Sequence, residues 1–217
     1  LDAARWFDGF FCRWYLDPLF KGAYPADAVA DRVTRGHLSP DMPFVQDGDL
    51  AIISAPMDYL GINYYSRVIM KMGEDGNPTA VPGAPRKELT EMGWEVFPEG
   101  LTRTLMRVHE DYAPPCIYIT ENGAAFSDPP AKNGRIADLR RQDYLREHLV
   151  AAQAAIDAGV PLRGYFAWSL LDNFEWGHGF TKRFGLFGVD FDTFERTAKD
   201  SAFFYRDVIS RNAVSAG

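Results

Sequence analysis

The sequence is short of several things, and each shortage removes a class of protein. Cysteine occurs only twice in 217 residues, at Cys12 and Cys116, with no Cys-x-x-Cys pair. That excludes a disulfide-built scaffold and a cysteine zinc site, and the usage fits a reducing, cytoplasmic setting. No apolar run approaches the ~20 residues needed to span a bilayer, so no membrane partner is expected. Basic residues are outnumbered, 23 Lys and Arg against 30 Asp and Glu, for a net charge of −7. The basic surface that a nucleic acid requires is therefore missing. The four histidines, His37, His109, His148 and His178, contain no pair at the spacing of a helical zinc hydrolase. His109 and His148 fall on expected helices and are read as solvated. There is no Gly-x-Ser-x-Gly elbow and no dinucleotide glycine fingerprint. The chain opens at Leu1 without an initiating methionine and runs straight into amphipathic sequence, so it is read as a piece of something longer.

What is present is ample apolar and charged material, 47% hydrophobic and 24% charged. That rules out wholesale disorder and suffices for one sizeable core or two small domains. Ala3, Trp6, Phe7, Phe10, Phe11 and Trp14 have helical spacing, and that helix is expected to stop before Pro18. A second helix is expected over 25–35, with Gly36 past its end. Residues 58–66 read as a strand and 71–93 as a long surface loop. Pro98 opens a helix carrying Leu101, Leu105, Val108 and Tyr112 on one side. Residues 116–120 and 164–169 read as strands buried on both faces. Between them a helix over 138–158 is expected to turn Leu145, Leu149, Ala152 and Ile156 inward. After a loop over 127–134 and a hairpin or extended segment over 184–191, a last helix covers 199–212. Strands alternating with crossover helices imply parallel β, an α/β fold.

Each expected strand ends in polar residues: Asn63, Tyr64, Tyr65 and Ser66; Glu121 and Asn122; then Trp168, Ser169, Asp172, Asn173 and Glu175. In α/β barrels the active site is assembled at this edge from several strands. Glu121 follows an apolar strand and precedes the turn pair Asn122-Gly123, which would aim a carboxylate into a cleft. A glutamate capping a loop or paired with an arginine fits the same position. The run from Trp168 to Trp176 offers aromatic faces for the C–H faces of a sugar, and carboxylates and amides for its hydroxyls. An aromatic core cluster fits that composition as well. Trp94, in a Gly-Trp-Glu loop, is either another stacking platform or a tucked surface residue. With thiol, serine and zinc chemistry set aside, carboxylate chemistry remains.

Five segments carry a more specific resemblance. They are LDPLFKGAYP at 16–25, DYLGINYYS at 58–66, MGWEVFPEGL at 92–101, YITENGAAF at 118–126 and WSLLDNFEWGHGFTKRFGLFGVDF at 168–191. In this order and register the chain resembles the C-terminal part of a family 1 glycoside hydrolase, the retaining β-glucosidase family. The resemblance implies a TIM (β/α)8 barrel represented here by about strands 6–8 with their helices, so that the barrel is incomplete. Residues 1–217 would then be the C-terminal segment of a single catalytic domain of carbohydrate metabolism, with neither cofactor nor metal. Glu121 matches the catalytic nucleophile, Tyr65 the tyrosine that orients it, and Asn63 a neighbour lining the site. Trp168 matches the floor of the sugar site, and Glu175 and Trp176 the groups holding its outer hydroxyls. Phe184 matches an aromatic near the hydroxymethyl, and Trp94 one of the aglycone site. Retention of Glu175-Trp176 implies an unphosphorylated β-glycoside as substrate, because relatives acting on 6-phosphosugars replace that position.

The family's acid/base glutamate belongs to an Asn-Glu-Pro motif that this chain does not contain. The resemblance therefore implies a nucleophile without its proton donor. Three parallel strands also leave both sheet edges and the barrel interior uncovered. The expectation is a chain that self-associates or sits against an N-terminal companion, and that hydrolyses glycosides poorly by itself. Two other readings compete: a carbohydrate-binding or scaffolding protein derived from the same fold, and a different retaining barrel family.

Overall fold

Strands rich in branched and aromatic residues, separated by helices with one apolar stripe, can bury that stripe only by crossing back over the sheet. In the computed structural model, which describes residues 2–81 and 88–214, that is what happens from residue 59 onward. In chain order the elements are α1 (Asp2–Asp8), a π turn (Gly9–Arg13), α2 (Trp14–Lys21), α3 (Ala26–Thr34), α4 (Asp49–Ile53), β1 (Leu60–Asn63), β2 (Met70–Met72), β3 (Pro78–Ala80), α5 (Pro98–Tyr112), β4 (Ile117–Asn122), α6 (Leu139–Asp157), β5 (Leu162–Ala167), a 3-10 turn (Trp176–His178), β6 (Phe187–Val189), β7 (Arg196–Ala198) and α7 (Asp200–Arg211). They fall into two units, one of residues 1–58 and 68–85, the other of 59–67 and 86–217.

The first unit holds α1–α4 and the antiparallel pair β2–β3. Its first helix does not stop before Pro18. It widens into the π turn and continues through the proline to Lys21. An Asp17–Lys21 ion pair at 3.1 Å spans the turn that holds the ring, and the helix closes on left-handed Gly22, whose N–H donates to the Pro18 carbonyl at 3.2 Å. Phe10 and Phe11, expected on the buried stripe, are exposed. From the π turn Arg13 grips Asp27 on α3 with two bonds of 2.8 Å, which hold that carboxyl down at about 2. The expected long loop contains the β2–β3 hairpin instead. An Asp75-Gly76 turn closes it, a short-range signal that the Gly and Lys content of the stretch obscured. Residues 82–87 of that loop lie outside the described residues.

The second unit is built on the parallel sheet β1-β4-β5. Its register sets Leu60 beside Ile117 and Asn63 beside Glu121, then Ile119 beside Tyr165 and Asn122 beside Ala167. The three C-terminal strand ends therefore come level. Ile117 and Ile119 are fully buried, as are Leu101 and Leu105 of α5, and Leu145 of α6 is nearly so. The α5 stripe is the expected one. The opposite sheet face is not buried as the apolar runs suggested: Tyr118 and Thr120 are half-buried, and Phe166 is 57% exposed. The extended segment after 184 resolves into β6 and β7, an antiparallel pair.

Helix α6 buries two of its four expected residues, Leu145 and Ala152, whereas Leu149 is half-buried and Ile156 is 42% exposed. The buried stripe also takes in Arg141, Tyr144, His148, Ala151 and Ala155. Three of these are ionisable, which a hydrophobic periodicity cannot weigh. His148 is not solvated. Its ring stacks on Tyr144 at 3.9 Å, Nδ1 meets the Tyr144 carbonyl at 2.8 Å, and Nε2 is buried without a hydrogen-bond partner. Burial lowers its pKa to about 4. His109 is half-buried, with an equally unpartnered Nδ1.

A stability effect follows for His148. The unfolded imidazole titrates near 6.5 and the folded one near 4. On acidification the unfolded chain takes up the proton first, so stability is full above about pH 6.5 and falls toward pH 4. Urea midpoints should drop between pH 7 and 5 with a contribution approaching ~1.4 kcal/mol per pH unit, and His148→Leu should flatten that slope. An unchanged slope in His148→Leu would show that the imidazole is solvated after all. Among the described residues no helix is long and apolar enough to cross a membrane.

Candidate active site

The level strand ends define the site. From the end of β1 the chain turns so that the Tyr64 N–H donates to the Glu121 carbonyl at 2.9 Å. The Tyr65 hydroxyl then donates to Glu121 Oε2 at 2.8 Å. Burial, with the bond to Glu121 in second place, pushes the Tyr65 phenol well above its usual range, which keeps it a donor. Glu121 is half-buried and makes no ion pair among the described residues, so the arginine-paired alternative does not hold. It lines an open hollow of about 600 Å³.

All eight residues singled out from the sequence line that hollow: Asn63, Tyr65, Trp94, Glu121, Trp168, Glu175, Trp176 and Phe184. Tyr65, Trp94 and Phe184 form one wall, with ring centroids 5.2 to 6.3 Å apart. Trp94 is held there by its neighbour Glu95, buried against Arg67 with bonds of 2.7 and 3.0 Å, and by Ser66, which donates to the Glu95 carbonyl. The Asn63 amide oxygen accepts from Thr120 at 2.7 Å. Glu175 sits inside at 8% exposure, whereas Trp176 stands at the rim at 81%. Met92, Gly177 and His178 complete the lining; they fall within the segments 92–101 and 168–191 that carry the resemblance, which assigns them no role. Among the described residues no three His, Cys, Asp or Glu side chains converge as a metal site needs.

The Glu-Asn-Gly turn has a packing reason. A Cβ on Gly123 would lie 1.7 Å from the Trp168 carbonyl oxygen. The glycine thus lets the backbone beside Glu121 come into contact with the backbone of Trp168. The Trp168 N–H also donates to the Asn122 carbonyl at 2.9 Å, and the Trp168–Ser169 peptide is cis.

The model for glycosyl hydrolase family 1 matches residues 1–214. The chain belongs to that family. It is 45% identical over 203 residues to β-glucosidase A of Acetivibrio thermocellus, covering 92% of this chain and 44% of that one. A bifunctional β-D-glucosidase/β-D-fucosidase of Bifidobacterium breve is 41% identical, covering 96% and 48%. The β-glucosidase of Thermotoga maritima solved with castanospermine superposes with a TM-score of 0.89 at 40% identity, over 99% of this chain and 47% of its own. The family 1 chain described here thus spans about half the length of the relatives it matches, and its fold is part of an α/β barrel.

Behind the family 1 site lies a charge-balanced cluster that sequence reasoning missed. Lys199, fully buried, is bonded to Asp128 at 2.6 Å and Asp172 at 2.9 Å. Arg141 pairs with Asp128 at 2.8 Å and Asp138 at 2.5 Å, and its remaining donors reach the carbonyls of Ala124, Phe126 and Arg183. Asp138 also accepts from the Ser201 N–H and hydroxyl, and Asp172 from the Gly185 N–H and, at 3.5 Å, Arg183. Three cations and three carboxylates tie the segment after β4 to the loop that carries Trp168, Glu175 and Phe184. The partners lie up to 71 residues apart, so no local pattern announces them.

Proposed function

We propose that this chain is the nucleophile-bearing part of a retaining β-glucosidase. The observation that carries the reading is Glu121: a carboxylate with no ion-pair partner among the described residues, one oxygen fixed by the Tyr65 phenol, in a hollow walled by tryptophans. Bound at Oε2, the carboxylate presents Oε1 to the anomeric carbon. In the first half-reaction a C–O bond forms between Glu121 and that carbon while the bond to the aglycone oxygen breaks. In the second, water attacks the same carbon and Glu121 leaves. Trp168 offers a face to the apolar side of the sugar, and Glu175 accepts from its hydroxyls in charge-assisted bonds. Each half-reaction also needs a second carboxyl about 5–5.5 Å from the first, to protonate the leaving oxygen and then to activate water. The Asn-Glu-Pro motif expected to provide it is not in these 217 residues.

The partner in this reading is the other part of the barrel, within one catalytic domain, with a small β-glycoside as substrate and a cytoplasmic location. Its support is the uncovered surface. An open groove of about 670 Å³ runs between β5 and α7, lined by Phe166, Leu170, Leu186, Phe187, Phe203 and Ile209. Phe166, Leu170 and Ile209 are each more than half exposed. A patch of that kind beside an unpaired parallel edge suits a further strand and helix.

The test uses a glucoside with fluorine in place of the hydroxyl next to the anomeric carbon and dinitrophenolate as leaving group, which departs without protonation. It is offered to the chain alone and mixed with the N-terminal part of the A. thermocellus enzyme. One adduct per chain, mapped to Glu121 and absent from Glu121→Gln, is expected. No adduct in either mixture, reversible binding only, or an adduct on Glu175 would overturn the reading.

A further inference from the structure

We propose that Asn122 and Tyr144, neither of which lines the hollow, are positioning residues that hold Tyr65 against the Glu121 carboxylate. The inference rests on the reading of Glu121 as nucleophile. Asn122 follows it in the chain and is fully buried. Both hydrogens of its amide are used: Nδ2 donates to the Tyr64 carbonyl at 2.7 Å and to the Tyr144 hydroxyl at 3.0 Å. Its Oδ1 accepts from the Tyr165 hydroxyl on β5. The Tyr144 hydroxyl in turn donates to the Tyr65 carbonyl at 3.4 Å. The connections close a ring. Glu121 is bonded covalently to Asn122, Asn122 grips the backbone at Tyr64 and, through Tyr144, at Tyr65, and the Tyr65 phenol returns to Glu121 Oε2.

A side-chain amide suits this role because it donates twice and accepts at once without charge. An aspartate would set a carboxylate against the Tyr64 carbonyl. Tyr144 is fixed by its stack on His148, and burial keeps its phenol protonated. The ring joins β4, α6 and the segment just past β1, and Tyr165 braces it from β5, so several elements together set the direction of the Tyr65 hydroxyl.

The labelling reaction above reads this directly. Tyr144→Phe keeps the stacked ring and removes only the hydroxyl. Covalent capture at saturating glycoside should slow about tenfold, the loss expected for one hydrogen bond to a charged group. The inhibition constant of castanospermine should stay at its wild-type value. Glu121 faces Tyr65 from the end of β4, and Glu175 and His178 line the same hollow from the loop after β5; the substitution leaves all three in place. Tyr165→Phe, which removes the bond to Asn122 Oδ1, should act in the same direction and serves if Tyr144→Phe does not fold. Thr102→Val, which removes a 2.7 Å bond to the Ala151 carbonyl on α6, is the control for loss of any α6 hydrogen bond and should leave the rate unchanged. A wild-type rate in the tyrosine variant, an inhibition constant that shifts with the rate, or an equal slowing in Thr102→Val would overturn the positioning role alone. A wild-type chain that takes no label overturns the nucleophile reading with it.

Discussion

Given a nitrophenyl β-glucoside with a poorly departing phenol, the 217-residue chain should turn over at least ~10²-fold more slowly than β-glucosidase A of A. thermocellus, with 10²–10⁴-fold the range that general acid catalysis supplies. The shortfall should narrow as the leaving group improves to dinitrophenolate, because protonation then ceases to matter. Among the described residues the only other carboxylate lining the hollow is Glu175, buried on the far loop among the groups read as holding the sugar. If Glu175 were the proton donor, the two substrates would show no such divergence. Adding the N-terminal part of the relative should restore the slower substrate preferentially. Equal turnover of both substrates at the level of the intact relative, abolished in Glu121→Gln, would show that the chain carries its own acid.

Replacing Lys199 by methionine should cost about 3 kcal/mol of stability, the lower end of the ~3–5 kcal/mol for breaking a buried ion pair from one side. The lower end applies because the stranded carboxylates keep partners: Asp128 retains Arg141, and Asp172 retains the Gly185 N–H and Arg183. For a chain of this size the melting temperature should fall on the order of 10 °C. Arg107→Ala is the contrast. It breaks an exposed i,i+4 pair with Asp111 at 3.2 Å and should move stability by about 0.5 kcal/mol or less. A Lys199→Met chain that unfolds at the wild-type urea concentration would show that the cluster contributes little.

The parts legible in the sequence were those with a local signature. Pro98 followed by Leu101, Leu105, Val108 and Tyr112 reads as a one-sided helix, and it is one. The site residues were legible because strand ends and motif order place Tyr65, Glu121 and Trp168 on three neighbouring strands, and the register then levels them. What escaped was burial that depends on distant partners. Arg141 and His148 look like the polar side of α6 until Asp128, Asp138 and Tyr144 are set around them. Lys199 reads as a helix start and is in fact the most enclosed cation of the unit. Pro18 escaped for the opposite reason: the local rule is a tendency, and here the helix runs through the proline to its left-handed cap at Gly22. The faces of β4 and β5 misled because an apolar run implies a covering layer on each side, and these residues provide only one.

The cluster around Lys199 also sets a rule for chimaeras. A designer who replaces the loop between Ser169 and Gly185 with that of another family 1 protein removes Asp172 and Arg183 with it. Their counterparts Asp128, Arg141 and Lys199 stay behind on other segments. A graft that ignores them strands charge in the interior, so exchangeable cassettes must be cut to keep these groups in matched company.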